Sequence, residues 1–270
     1  MPRLKIVVRN IACGLSFVAS SRPKTPLRVL CLMAFDTLHM LRESKPLPKP
    51  TLRKLATLLD FAACANAAFD GKDYSRRECR ETLRLLEEAG IRAFVVEYLQ
   101  RLWDLESSRP LPGGDDWRFR KVGSYREAVA RLSLGMVAAA ANDSLCLEEG
   151  IRATYCDPHL EILFRIVMQC QIIDDVLDYA QDTSARLPSF LTAAESLPRA
   201  FELTRLAALG YGDQRDLPRT GDSFPLRQAL YLVATCTKLV IALGRWRSRL
   251  VYRPFADKRP EMICSPLARA

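Results

Sequence analysis

The segment 169–182, QCQIIDDVLDYAQD, sets Asp174, Asp175, Asp178 and Asp182 among isoleucine, valine, leucine and tyrosine. Carboxylates are costly to bury unless a cation, a hydrogen-bond donor or a metal compensates them. On a helix, Gln171, Asp175, Asp178 and Asp182 fall at i, i+4, i+7 and i+11. They form a stripe about 60° wide, with Asp174 at its edge. Upstream, Asn66, Asp70, Asp73 and Arg77 repeat that spacing, provided the helix continues past Gly71. Two facing carboxylate stripes make a cleft for hard divalent cations. Mg²⁺ suits it, because it takes few protein carboxylates and keeps its other positions for water and phosphate oxygens.

The elements that must carry these stripes are helical. Apolar residues recur at helical spacing over 25–42, 51–69, 124–149, 157–182 and 226–250, and period-2 alternation is scarce. The spacing predicts one long helix over 157–182, opened by Asp157 as N-cap and Pro158 at the first helical position. SKPLPKP (44–50) breaks the chain, and 107–117 and 210–225 are loops. No internal repeat or linker divides the chain. The expected fold is all-α: a single-domain multi-helix bundle of eight to ten helices over residues 25–252. An N-terminal segment, 1–24, precedes it, and a C-terminal tail, 253–270, follows.

Composition narrows the chemistry. The chain has 270 residues, is 49% hydrophobic, and carries 40 Lys and Arg against 31 Asp and Glu, a net charge of +9. That balance suits a polyanionic partner, yet no nucleic-acid-binding signature is present. Nine cysteines without a CxxC pair read as buried free thiols of a reducing, cytoplasmic setting. Two histidines leave little room for a His-based metal site or triad. The most apolar stretch, 229–244, is short and contains Lys238, so no transmembrane segment is expected.

QIIDDVLDYAQD resembles the second aspartate-rich motif of the class I isoprenoid synthases. That all-α superfamily holds the trans-prenyltransferases, the squalene and phytoene synthases, and the terpene synthases. NAAFDGKD followed by YSRR stands about 105 residues upstream, where the first aspartate motif of that superfamily belongs. The resemblance covers roughly residues 50–250 and implies a bundle of the isoprenoid synthase type with a central cavity. It implies two or three Mg²⁺ ions, with Mn²⁺ as an alternative, held by Asp70, Asp73, Asp174, Asp175, Asp178 and Asp182. Of these, Asp70, Asp73, Asp175 and Asp178 are the expected catalytic set. Asn66, Arg76, Arg77, Lys121, Tyr125, Arg126 and Arg186 are the candidates for binding a prenyl diphosphate.

The first motif here is sparser than in elongating prenyltransferases. Gly-Lys does not follow the second motif, and ARLPSFLTA is closer to squalene-synthase-like proteins and small terpene synthases. These features favour ionisation of a single C15–C25 prenyl diphosphate to a terpene hydrocarbon or alcohol plus pyrophosphate. Coupling of two prenyl diphosphates, head-to-head or head-to-tail, is the alternative. A non-catalytic helical subunit of the same fold is a third reading, and a homodimer is compatible with any of them. Phe61, Phe69, Tyr98, Trp103, Phe164, Tyr179 and Trp246 are candidates for cation–π stabilisation of a carbocation. Ser133-Leu134-Gly135 reads either as room for substrate or as a helix-packing contact.

Overall fold

Residues 134–140 are buried in unbroken succession in the computed structural model, which describes residues 26–69, 76–112, 116–217 and 223–252. A helix that is apolar and buried on every side lies at the centre of a bundle. Around it the described residues form ten helices: α1 (Pro26–Glu43), α2 (Lys49–Phe69), α3 (Arg76–Glu88), α4 (Arg92–Ser107), α5 (Asp116–Ala141), α6 (Leu147–Cys156), α7 (Pro158–Leu177), α8 (Tyr179–Ala185), α9 (Leu197–Tyr211) and α10 (Phe224–Tyr252). No strand occurs among the described residues, so the all-α expectation holds.

The central helix is α5, which packs against α2, α4, α6 and α7. Its closest approach is to α6. A Cβ on Gly135 would lie 2.7 Å from the backbone nitrogen of Ile151, and one on Gly150 would press on the Gly135 carbonyl. Only two glycines facing each other permit this crossing. Gly135 is therefore a packing contact, which decides between the two readings of Ser133-Leu134-Gly135.

The second organising helix is α7, whose most extensive partner is α10, with α9, α6 and α5 completing its surroundings. Its start is as expected: the Asp157 carboxylate accepts from the backbone N–H groups of His159 (2.8 Å) and Leu160 (3.2 Å). Its end is not. The expected helix over 157–182 breaks at Asp178, whose φ of −95° and ψ of 10° separate α7 from α8. The expected helix over 124–149 also divides differently. It begins earlier, at Asp116, and stops at Ala141, because Asp143 and Leu145 adopt positive φ of 54° and 48°. Asn142, Asp143 and Ser144 supply the turn chemistry there.

Among the described residues the cysteines are free thiols. Cys156 and Cys236 are exposed, so the expectation of uniformly buried thiols does not hold.

Candidate functional site

The break at Asp178 places the aspartates in unequal surroundings. Asp174 is exposed, Asp178 is half-buried, and Asp175 and Asp182 are only 3% and 5% exposed. Asp175 points from α7 toward α5. Its Oδ1 accepts from Nη2 of Arg126 at 2.8 Å, and its Oδ2 accepts from the backbone N–H of Phe190 at 2.7 Å. Burial pushes its carboxyl up to about 7; Arg126 and the Phe190 N–H pull the other way, and Asp182 and Asp174 add to the rise. The guanidinium and the amide thus compensate only part of the desolvation.

The second ligand of Asp175 comes from an irregular segment inside the core. Leu187, Ser189, Phe190, Leu191 and Ala193 are all buried. Arg186, in left-handed conformation (φ 54°), ends α8 and turns the chain inward. The buried polar groups of the segment find partners: the Thr192 hydroxyl donates to the Leu187 carbonyl (2.8 Å), and the Ser189 N–H donates to Thr192 Oγ1 (2.8 Å). Phe190 stacks on Phe119 of α5, with ring centroids 5.6 Å apart. Asp175 is therefore the joint between α7, α5 and the 187–193 segment.

The remaining candidates are more dispersed. Tyr125 donates from its hydroxyl to Glu106 of α4 (2.8 Å), and exposed Lys121 lies over the Trp117 ring, 3.8 Å from its centroid. Arg186 is exposed, as are Arg76 and Arg77 at the start of α3 and Asn66 near the end of α2. Asp70 and Asp73 lie outside the described residues. Among the aromatics, Phe61, Tyr98 and Phe164 are buried, whereas Trp103 and Trp246 are each 62% exposed.

Asp174, exposed, and Asp178, half-buried one helical turn on, are the carboxylates of the stripe that a hydrated Mg²⁺ could reach from outside. Among the described residues no three His, Cys, Asp or Glu side chains converge on one point. Asp174 and Asp178 by themselves offer two carboxylates, a set that only a largely hydrated ion would accept.

A second polar cluster sits one turn further along α5, and the sequence reading did not anticipate it. Arg131 donates to Glu161 Oε2 (3.0 Å) and lies over the Phe164 ring (3.6 Å) and the Tyr155 ring (4.0 Å). Arg165 joins Glu161 (2.9 Å) to Asp216 (2.7 Å). Tyr211 donates to Glu127 at 2.6 Å, and burial together with that carboxylate pushes its phenol well above its ordinary value. The available signal was the i, i+4 pair Glu161/Arg165 on an otherwise apolar helix.

The bundle also holds a cavity of about 410 Å³, lined by α1, the end of α5 and Leu160 at the start of α7. Leu160 and Asp175 are fifteen residues apart on α7, about 22 Å along its axis. The cavity is thus at the other end of the helix from the aspartates. His39 and Arg42 on its wall are engaged, His39 Nδ1 with the Lys45 carbonyl (2.8 Å) and Arg42 with Asp157.

No family model, no curated protein and no solved structure matches this chain.

Proposed function

We infer that the chain is a Mg²⁺-dependent class I terpene synthase, a lyase that ionises a linear C15–C25 prenyl diphosphate and releases pyrophosphate. The observation that carries this reading is the pair of almost fully buried carboxylates, Asp175 and Asp182, on the aspartate-rich helix break. A stripe serving only solubility would be exposed along its whole length. The motif resemblance in 171–182 supplies the reaction class.

In this reading Asp174 and Asp178 would hold Mg²⁺ from the second motif and Asp70 and Asp73 from the first, while Asp182 is buried. The bound ions supply charge neutralisation for the departing diphosphate. Asp175 has a different task. It fixes the Arg126 guanidinium at the mouth of the aspartate stripe, where one fork of five N–H donors suits a phosphate. Phe190 and Phe119, packed against each other beside Asp175, would keep that side of the site apolar.

A second reading, a non-catalytic helical protein, is favoured by one observation: both oxygens of Asp175 are already engaged by the protein itself. The experiment that separates the two is incubation of the purified chain with geranyl, farnesyl, geranylgeranyl and geranylfarnesyl diphosphates plus Mg²⁺. The catalytic reading expects stoichiometric pyrophosphate and a hydrocarbon or alcohol. Labelled isopentenyl diphosphate appearing in a longer prenyl diphosphate would make the chain an elongating prenyltransferase instead. Pyrophosphate no higher than in a boiled control, with every substrate, leaves the non-catalytic reading.

A further inference from the structure

The last helix buries one face and leaves an equally apolar face open. Leu226, Leu230, Ala234, Thr237 and Ile241 of α10 are buried against the bundle. At Gly244 the contact is tight: a Cβ there would lie 2.8 Å from Val176 of α7 and 3.2 Å from Phe201 of α9. On the opposite side, Leu232, Leu239, Leu243 and Trp246 are 62%, 60%, 63% and 62% exposed. At 100° per residue these four lie within about 60° of one another, diametrically across from the buried set. Exposed Cys236 falls on the same stripe. Single exposed apolar residues need no explanation, but a continuous stripe marks a contact surface.

The charges beside the stripe identify the occupant. Exposed Lys238 and Arg249 flank it on one side and Arg247 on the other, and exposed Arg245 lies further round, toward the buried face. Over all 29 residues α10 contains no Asp or Glu. A second copy docked through its own α10 would bring further cations and no counter-charge. A bilayer with anionic headgroups supplies both things the face lacks, an apolar layer for the leucines and negative charge for the flanking cations. Trp246, beside Arg245 and Arg247, is the residue type that sits at headgroup level. Phe224–Arg249 is long and apolar enough to cross a bilayer by length and composition alone. Its inner face, however, is committed to α7 and α9.

We propose that the Leu232–Leu239–Leu243–Trp246 face of α10 docks the protein onto an anionic membrane surface, with α10 lying in the interface plane. This goes beyond the catalytic reading and stands without it. It places the aspartate-bearing α7 directly beneath the membrane-contacting helix.

The test is co-sedimentation of the full chain with vesicles of phosphatidylglycerol and phosphatidylcholine, against vesicles of phosphatidylcholine alone. The expected result is binding to the mixed vesicles that weakens with added salt. Arg245→Gln/Arg247→Gln/Arg249→Gln should lower the partition coefficient about a hundredfold. Leu239→Glu/Leu243→Glu should abolish binding while leaving the circular dichroism spectrum and melting temperature unchanged, because both leucines are exposed. Three results would overturn the proposal. One is absence of binding to either vesicle; another is binding undiminished in both variants. The third is a dimer in solution that the leucine variant converts to monomer, which assigns the face to a second copy.

Discussion

Arg126 and Asp175, 49 residues apart in sequence, form an ion pair of 2.8 Å in which the carboxylate is 3% exposed and the guanidinium side chain 24%. The cation retains partial contact with water and the anion has almost none. Replacing Arg126 by methionine strands a carboxylate in an apolar setting. The expected loss is about 3–5 kcal/mol at pH 8, and less at pH 5, where Asp175 can take up a proton instead. Urea unfolding of the variant at both pH values checks this. Equal losses at the two pH values would show that Arg126 acts through packing alone.

The Asp175 carboxyl also sets a pH dependence in the wild-type protein. It is pushed up to about 7 from an ordinary 3.8, with burial the largest cause. The folded state therefore binds more protons than the unfolded chain between about pH 4 and 7. The favourable contribution is complete below the unfolded value and is lost as pH rises through 7. The full effect is on the order of 4 kcal/mol. Unfolding measured in EDTA should show stability declining across this window, and Asp175→Asn should flatten that part of the profile. A wild-type profile that rises from pH 4 to 7 would contradict the buried, protonatable carboxyl.

Gly135 and Gly150 set the distance between α5 and α6. A methyl at Gly135 would meet backbone atoms of Ile151, which cannot rotate away. Gly135→Ala is expected to cost about 3 kcal/mol or more by overpacking, read as a fall in the denaturation midpoint. Gly210→Ala is the control, because a Cβ there meets nothing within 4 Å. If both substitutions behave alike, the close crossing is not what matters.

The cluster around Arg131 offers a contrast between buried and exposed charges. Arg131 is 11% exposed and packs between two rings while bonding Glu161, whereas the Asp216 side chain is 65% exposed. Arg131→Met should destabilise by about 2–4 kcal/mol, and Asp216→Asn by at most about 1 kcal/mol. Thermal melts of the two variants against wild type make the comparison.

The catalytic reading makes its own demand on Asp174 and Asp178. Asp174→Asn/Asp178→Asn should lower pyrophosphate release by at least about a thousandfold, without lowering the metal-free melting temperature. Mg²⁺ should raise the melting temperature of the wild-type protein and not of the double variant. Retained turnover in the double variant removes the metal role from this stripe.

How much of this was legible in the sequence depends on how local the cause is. The α7 start was readable because Asp157 and Pro158 act on their immediate neighbours. The turn after Ala141 was encoded equally locally, in Asn142-Asp143-Ser144, but the alanine run before it continued the helical pattern and masked it. The break at Asp178 carries no proline or glycine. The inward turn that seats 187–193 comes later, at the left-handed Arg186. The aspartate stripe was readable as a spacing, but its partner was not. Sequence alone offers Asp175 as a metal ligand, with no partner inside the protein. The contacts to Arg126 and the Phe190 N–H reverse that expectation, and Asp175→Ala should destabilise the metal-free fold.

The Gly135–Gly150 crossing joins positions fifteen residues apart, so α5 and α6 can pair as soon as both have left the ribosome. The pairing of α7 with α10 is different, because the partner begins at Phe224, long after α7 is complete. Until then the side of α7 that α10 covers stays open, although α5, α6 and α9 can already pack on its other sides, and contacts of such sequence separation form slowly. A nascent chain halted near residue 217 would present that side bare, with Val176 and Ile172 among its residues, and should depend on chaperones or aggregate. The helix that secures the aspartate region in the finished protein is thus also the one whose synthesis closes that exposed side of α7.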